Sequence, residues 1–308
     1  VLYTGAVPVF ADINEDTGAI DIGRLREALT GEVKALIPVH YGGAPLDMKE
    51  IRAACGEDVV IIEDACHALG AWQRDGSGIK RMVGGCSYSD MTVFSFHPVK
   101  SITTGEGGAV TTNDRVLYER LIELRTHGIT KTPPHGESWP PWKYEMRSLG
   151  FNYRISDIQC ALGLSQLKKI DAFMKRRREI AALYDELFSN TDIIKTPPMP
   201  PNAESARHLY PIRIDFNGFG VDKEQWFKLM LSEGVALQVH YIPVHLQPYY
   251  RERFGYTAGD FPLSERFFHE AASLPIFPAL TDEDVRFAAK AVISTLSRTM
   301  PSKTKRAV

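Results

Sequence analysis

Cysteine is scarce and scattered in this sequence. Cys55, Cys66, Cys86 and Cys160 form no CxxC pair, so a disulfide-stapled fold is excluded, no metal-ligand set is expected and a reducing cytoplasm fits. An excess of either charge is also missing, with 36 basic residues against 38 acidic ones and a net charge of -2. That balance supplies no general field to draw nucleic acid. No apolar run reaches the length of a membrane span, and no basic-apolar-cleavage pattern marks a secretory signal, so neither a membrane nor an exported state is expected.

What remains is an ordinary globular composition: 44% hydrophobic and 24% charged over 308 residues. This is enough chain for a large α/β unit with a smaller companion. Val7 to Ile13 reads as a strand, Asp21 caps a helix containing Leu25, Ala28 and Leu29, and Val33 to His40 reads as a second strand. Asp47 to Ala54 is helical in pattern. The β-branched run from Val59 to Ile62 then suits a strand buried on both faces by crossover helices. Strand, helix, strand in succession implies parallel α/β topology. Ligands in such sheets sit beyond the carboxyl ends of strands, which is where Glu63 and Asp64 fall.

The segments Met91 to Phe96 and Gly107 to Thr112 flank a ten-residue connector, HPVKSITTGE. It is too short for a crossover helix, so the two strands should pair antiparallel and leave Lys100 in the loop between them. Asn113 or Asp114 caps a helix running to Arg125, and residues 130 to 149 read as a long surface loop. Ser156 caps a periodic stretch to about Phe188, within which Lys175 to Arg178 is read as a solvated basic face or, less simply, an anion or partner contact. Prolines from Pro197 to Pro201 mark a change of domain. Beyond them His208 to Phe216 and Val235 to Tyr241 read as strands, Asp222 to Ser232 as a helix, and Thr281 with Asp284 as the start of the last helix. The expected division is a large domain over residues 1 to 170 and a bridging helix with a smaller α+β domain over 171 to 308.

A lysine in a loop is usually solvated surface. The setting of Lys100 is more particular: Ser95 and His97 precede it, and Gly105, Glu106, Gly107 and Gly108 follow, allowing close backbone approach. A lysine and an acid at neighbouring strand ends can hold pyridoxal phosphate. The amine forms an imine with the cofactor aldehyde, while Asp64 keeps the pyridine nitrogen protonated so that the ring can accept electrons. Asp64 could equally cap the segment that follows its strand. His67 could stack on the ring, touch its 3-oxygen, or be a packed or capping histidine; Ser95 could bind phosphate or be an alternating strand residue. Glu106 is read as shaping the loop.

Three segments, EDACHALGA from Glu63, FSFHPVKSITTGEGGAVTTND from Phe94 and GFNYRISDIQCALGLSQL from Gly150, together resemble the DegT/DnrJ/EryC1/StrS family of nucleotide-sugar aminotransferases. The resemblance spans essentially the whole chain. It implies the fold type I architecture of pyridoxal-phosphate enzymes, like that of aspartate aminotransferase, with a mixed, mostly parallel sheet. Position by position it implies that Lys100 carries the cofactor, that Asp64 faces the pyridine nitrogen, that His67 lies against the ring and that Ser95 holds the phosphate. Asn152 matches a residue reaching the phosphate in the neighbouring subunit, and Arg154 one near the nucleotide-sugar. A homodimer with shared sites is thereby implied. Family members carry a further N-terminal segment with an SNGT-like phosphate turn and a ring-covering aromatic, so that part is expected to lie outside this numbering.

The segments VHYIPVHLQPYYRERFGY from Val239 and DFPLSERFFHEAASLPIFP from Asp260 resemble the pseudaminic-acid branch of the family. This implies amino transfer from L-glutamate to C4 of a UDP-linked 2-acetamido-2,6-dideoxy-hexos-4-ulose, with His240, Tyr241 and His245 toward the sugar. Other readings stay open: transfer to another nucleotide-sugar at C4 or C3, a pyridoxal-phosphate-dependent sugar dehydratase, or a non-enzymatic binding or regulatory protein.

Overall fold

The computed structural model of the chain describes residues 1–133 and 136–301. Four strands, β1 (Ala35–Leu36), β2 (Val60–Asp64), β3 (Met91–Ser95) and β4 (Gly108–Thr111), hydrogen-bond in that order. The first three run parallel, and β4 returns antiparallel to β3, with Ser95 opposite Gly108. The mixed sheet is therefore the one expected from the short connector. Helices α1 (Ile22–Ala28) and α2 (Met48–Cys55) start where Asp21 and Asp47 accept the amides of Arg24 and Glu50. Their Leu25 and Ile51 meet Leu46 and Ile61 of β2 in a small core. Ile61 is fully buried but Val60, on the opposite face, is exposed, so β2 is covered on one face only within this chain.

Helix α3 (Arg115–Arg125) is capped by Asp114, whose carboxylate accepts from Val116 and Leu117. The stretch after Ser156 forms two helices, α4 (Asp157–Leu167) and α5 (Ile170–Phe188), rather than the single helix the periodicity suggests. The break at Lys168 and Lys169 separates a helix that packs into the chain from one that does not. Helix α5 buries Met174, Ile180, Leu183, Tyr184 and Phe188, whereas no residue of α4 is buried and its Ile158 is 84% exposed.

A second sheet carries the C-terminal core. Strand β5 (Ile194–Lys195) and strand β7 (Ala271–Leu274) flank β6 (Tyr210–Ile214), antiparallel on both sides. Every residue of β6 is buried. Pro211 is tolerated there because β5 pairs only with Arg213 and Ile214, so its missing amide interrupts no ladder on that side. Helix α6 (Lys223–Ser232) contributes Trp226 and Met230; helix α7 (Asp282–Thr299) contributes Val285, Val292 and Leu296. The Trp226 indole donates to Thr295 at 2.8 Å. Burial of each such side chain stabilises by about 1.5–3 kcal/mol. Thr281 and Asp284 form the anticipated capping box of α7.

Three expectations are corrected. Residues 7 to 13 form no strand beyond a single bridge from Ile13 to Ile20. Instead Asp12 accepts the amides of Leu263 and Ser264 and so caps the helix Pro262–Glu270. Residues 235 to 241 likewise meet a strand only at Gln238, opposite Ser273, because β7 offers its outer edge at that one position. Nor is the basic run a solvated face. Lys175 is exposed, but Arg176 binds Asp282 and the Leu280 carbonyl, Arg178 binds Glu204, and Arg177 is buried. These arginines tie α5 to the segments crossing it. The loop over residues 130 to 149 is largely irregular as expected, apart from a two-residue pairing of Ile129–Thr130 with Glu145–Met146; Pro134 and His135 lie outside the described residues.

Candidate active site

Asp64 ends β2 and stands opposite Val93 of the parallel strand β3. The loop after β3 therefore leaves the sheet at the same edge. One Asp64 carboxylate oxygen accepts the Cys66 amide at 3.1 Å, which is the capping role open to it. The chain then turns through Ala65, Ala68 and Ala71, all buried, with Ala68 N donating to Ala65 O and Ala71 N to Ala68 O. This turn places the His67 ring at the edge of the cleft.

The loop holding Lys100 is closed by its own hydrogen bonds. Lys100 N donates to His97 O at 2.9 Å, Thr104 N and the Thr103 hydroxyl both donate to Phe96 O, and the Thr104 hydroxyl donates to Glu106 O. Gly108 is required by crowding: a Cβ there would lie 2.6 Å from the Phe94 carbonyl oxygen. Glu106 shapes the loop through its carbonyl, which also accepts from Gln159 of α4 at 2.8 Å. Lys100 is half-buried while Ser101, Ile102 and Thr104 beneath it are buried. Ser95, half-buried at the end of β3, accepts weakly from His97 N.

Electrostatics show which groups share the cleft. Burial, then the Lys100 charge, lowers His67 to about 4, with Asp64 opposing. Burial and then Lys100 also lower His240, while burial and then Asp64 raise Tyr241. The Cys66 thiol is pushed up to about 12 by burial and by its bond to Asp64, against Lys100. His208 is held well below the usual histidine range, by burial first and then by His67, Arg177, Lys100 and His240. The His67 ring centroid lies 4.4 Å from that of His208 and 6.5 Å from that of Tyr241, whose ring is 4.8 Å from that of His240, and the charges of Lys100 and Asp64 act on this ring group. His240 is fixed by Ser273 at 2.8 Å through Nδ1, and its carbonyl accepts the Tyr41 hydroxyl at 2.6 Å.

Other predicted residues are not brought into this group. His245 is buried against Phe261 and bonded to Glu265 at 2.9 Å, so its ring is engaged in holding the turn before the helix Pro262–Glu270. Asn152 and Arg154 are exposed on the segment before α4, where Asn152 bridges Thr126. Within one chain they face outward. A cavity of about 380 Å³ is lined by Tyr41, Gly42, Arg207, Arg213 and Phe267 among others, and another of about 180 Å³ by His40, Glu63 and Tyr88; Lys100 and Asp64 line neither. His208 and Cys66 were not singled out in the sequence. Cys66 lay inside a motif and could have been read from it, but nothing in the spacing around His208 brings it near residue 67.

The DegT/DnrJ/EryC1/StrS aminotransferase family model matches residues 1–293. The chain is 39% identical over 295 residues to the spore coat polysaccharide biosynthesis protein SpsC of Bacillus subtilis, covering 95% of this chain and 74% of that protein. It is 36% identical over 301 residues to the UDP-4-amino-4,6-dideoxy-N-acetyl-beta-L-altrosamine transaminase of Campylobacter jejuni, covering 96% and 75%. Among solved structures, Helicobacter pylori PseC, an aminotransferase involved in the biosynthesis of pseudoaminic acid, superposes with a TM-score of 0.87 at 34% identity over 96% of this chain and 76% of that one. A putative sugar aminotransferase from Streptococcus pneumoniae, in its PMP form, gives a TM-score of 0.85 at 27% identity over 97% and 78%.

Proposed function

This chain belongs to the DegT/DnrJ/EryC1/StrS aminotransferase family, and from that premise we propose that it moves the amino group of L-glutamate to C4 of UDP-2-acetamido-2,6-dideoxy-β-L-arabino-hexos-4-ulose. The products of that reaction are UDP-4-amino-4,6-dideoxy-N-acetyl-β-L-altrosamine and 2-oxoglutarate. At the coarser level the chain is a nucleotide-sugar aminotransferase of fold type I that depends on pyridoxal phosphate. The observation that carries the reading is that Asp64 and the loop holding Lys100 leave neighbouring parallel strands at the same end, with both charges acting on the buried His67.

The residues present fit the cofactor. The cleft offers an amine, a carboxylate, a hydroxyl at Ser95 and, on His67, a buried Nδ1 without a hydrogen-bond partner. When bound, pyridoxal phosphate supplies a conjugated ring that takes up the electron pair left when a C–H bond on the amino donor breaks. Asp64 would hold a proton on the ring nitrogen, and its negative charge is what makes that proton stay. Lys100 would bind the cofactor and, once displaced by the donor's amine, take the Cα proton and return it, acting as base and then acid. Ser95 would donate to the phosphate, and His67 would lie against the ring. His240 and Tyr241, at the mouth of the same cleft, would face the sugar.

Completion by a second copy is part of the proposal. Leu149 is 85% exposed, and with Phe151, Tyr153, Ile158 and Leu164 it makes an apolar surface that includes the exposed Asn152 and Arg154. A surface of this kind calls for a partner. A second chain seated there would bring its own Asn152 to the phosphate and its Arg154 to the nucleotide-sugar.

The test incubates the enzyme with L-glutamate and a panel of UDP-4-keto-6-deoxy-HexNAc epimers, identifying each product by mass and NMR. Turnover of the β-L-arabino isomer with stoichiometric 2-oxoglutarate is expected. An inert β-L-arabino isomer beside a rapidly aminated epimer sinks the substrate assignment. Lys100→Arg with undiminished multiple turnover sinks the site.

A further inference from the structure

His67 and His208 are the two histidines of the cleft whose burial is unexplained by any bond. Their ring centroids lie 4.4 Å apart with planes at 39°. They are 7% and 6% exposed, and the Nδ1 atom of each is buried without a hydrogen-bond partner. Two other buried histidines behave differently: His40 sits between Glu63 and the Leu46 amide, and His245 is bonded to Glu265. Buried polar atoms are normally paired, so two buried rings left without a bond need another reason for their placement. What the two share is the contact between their rings.

The backbone beneath both rings is fixed by one contact. Gly43 lies so close that a Cβ there would stand 2.7 Å from His67 O and 3.1 Å from the amides of Arg207 and His208. Ala206 N donates to Gly43 O at 3.0 Å and Leu209 N to Gly42 O at 3.2 Å, so residues 206 to 209 are laid along the glycine turn. From the other side the buried Arg177 guanidinium donates through Nη1 to the carbonyls of Arg207, His208 and Ile276, at 3.4, 3.3 and 2.8 Å. Arg207 itself adopts a left-handed φ of 46°, a conformation a non-glycine residue keeps only when its surroundings enforce it. The position of the His208 ring is therefore overdetermined, while its Nδ1 is left free.

We propose that His208 is a positioning residue of the cofactor site, its ring fixing the plane of His67 where His67 meets the pyridoxal ring. The inference rests on the cofactor-facing role given above to Lys100, Asp64 and His67. Around the pair stand Lys100, His240 and Arg177, with Asp64 as the acid acting on His67, so burial and positive neighbours keep both imidazoles neutral. A neutral, immobile ring can hold a flat cofactor at a set angle without adding charge beside the Lys100 amine.

The experiment compares His208→Ala and His208→Phe with the unaltered holoenzyme. It reads pyridoxal phosphate affinity by fluorescence quenching on adding cofactor back, the pH midpoint of the bound chromophore by absorption, and kcat and KM separately. His208→Ala is expected to weaken cofactor retention by about 10- to 100-fold, the scale seen when the support of a ligand-binding side chain is removed. It should also shift the chromophore midpoint and lower kcat while each KM stays within about threefold, because a misaligned reacting group costs rate more than binding. His208→Phe keeps a flat ring and is expected to restore retention and midpoint, and it decides the matter if the alanine variant does not fold. A folded His208→Ala with native affinity and midpoint overturns the proposal. So does a folded His208→Phe as impaired as the alanine variant, since the nitrogen and not the ring would then be what matters. If the unaltered protein fails to take up pyridoxal phosphate, it is the cofactor-facing reading of Lys100 and Asp64 that falls.

Discussion

Burial sets the protonation of the histidine beside Lys100. His67 titrates near 6.5 in an unfolded chain and near 4 in the folded one. Between those values the unfolded chain binds a proton that the folded chain refuses, so stability falls as pH drops through this window and is fully present above it. The loss is on the order of 3 kcal/mol at most. Chemical denaturation of the cofactor-free protein at pH 7 and pH 5 should show the drop, and His67→Gln should reduce it while leaving the share of His208 and His240, which burial also lowers; equal pH dependence in both proteins would count against a buried neutral ring. Asp64→Asn makes a different demand. It removes the charge proposed to face the ring nitrogen while keeping the shape, so kcat should fall by at least about 100-fold with cofactor still bound. Native turnover in that variant would dismiss the electrostatic role. At this scale the sequence was informative where chemistry follows from local order: Lys100 between two strands, Asp64 at a strand end. It was silent on His208 and pointed to a solvated Arg177, because the neighbours of the two come from residues 43, 67 and 276.

Elements were legible where a side chain announces their start. Asp21, Asp47, Asp114, Ser156, Asp222 and Thr281 each accept an amide at the first turn of a helix. Thr281→Ala should cost about 1 kcal/mol of stability with kcat unchanged, measured by denaturation and by initial rates. A comparable stability loss that also abolished turnover would show that α7 reaches the site. Gly108→Val should behave otherwise, since its side chain would drive into the Phe94 carbonyl and part β3 from β4. A loss of about 1–3 kcal/mol together with impaired cofactor binding is expected; a neutral substitution would contradict the close approach. What could not be read were elements whose pattern lacks a backbone partner. Residues 7 to 13 and 235 to 241 have strand-like composition, yet each finds a neighbour at one position only. Periodicity also ran on through Lys168 and Lys169, because a count of apolar residues does not register that many of those in α5 are buried while none in α4 is.

For the whole molecule, the proposed division of the site between two chains makes a prediction of its own. Mixing Lys100→Arg protein with a chain carrying Asn152→Ala and Arg154→Ala should restore activity to about a quarter of normal. Half of randomly paired dimers would then be hybrids, each with one intact site. No recovery after subunit exchange would mean that each chain completes its own cleft. Fold class was legible at this scale because strand and helix alternate and then give way, after the proline cluster, to a second sheet with its own core. Helix α5 touches two cores, Met174 joining the one that holds Ala65, Ala68 and Ala71 while Ile180 to Phe188 join the C-terminal one.

The closed loop between β3 and β4 also bears on how the site comes into being. Its ladder joins residues 95 and 108, near in the chain, and its turns are sealed by bonds that Lys100, Thr103 and Thr104 make within the loop. The parallel pairing that brings residue 64 beside residue 93 must first close a longer stretch. Local closures are made early in refolding and distant parallel ones late. The amine would thus be held in its final shape while the carboxylate is still arriving, and assembly of the cleft would end with the acid.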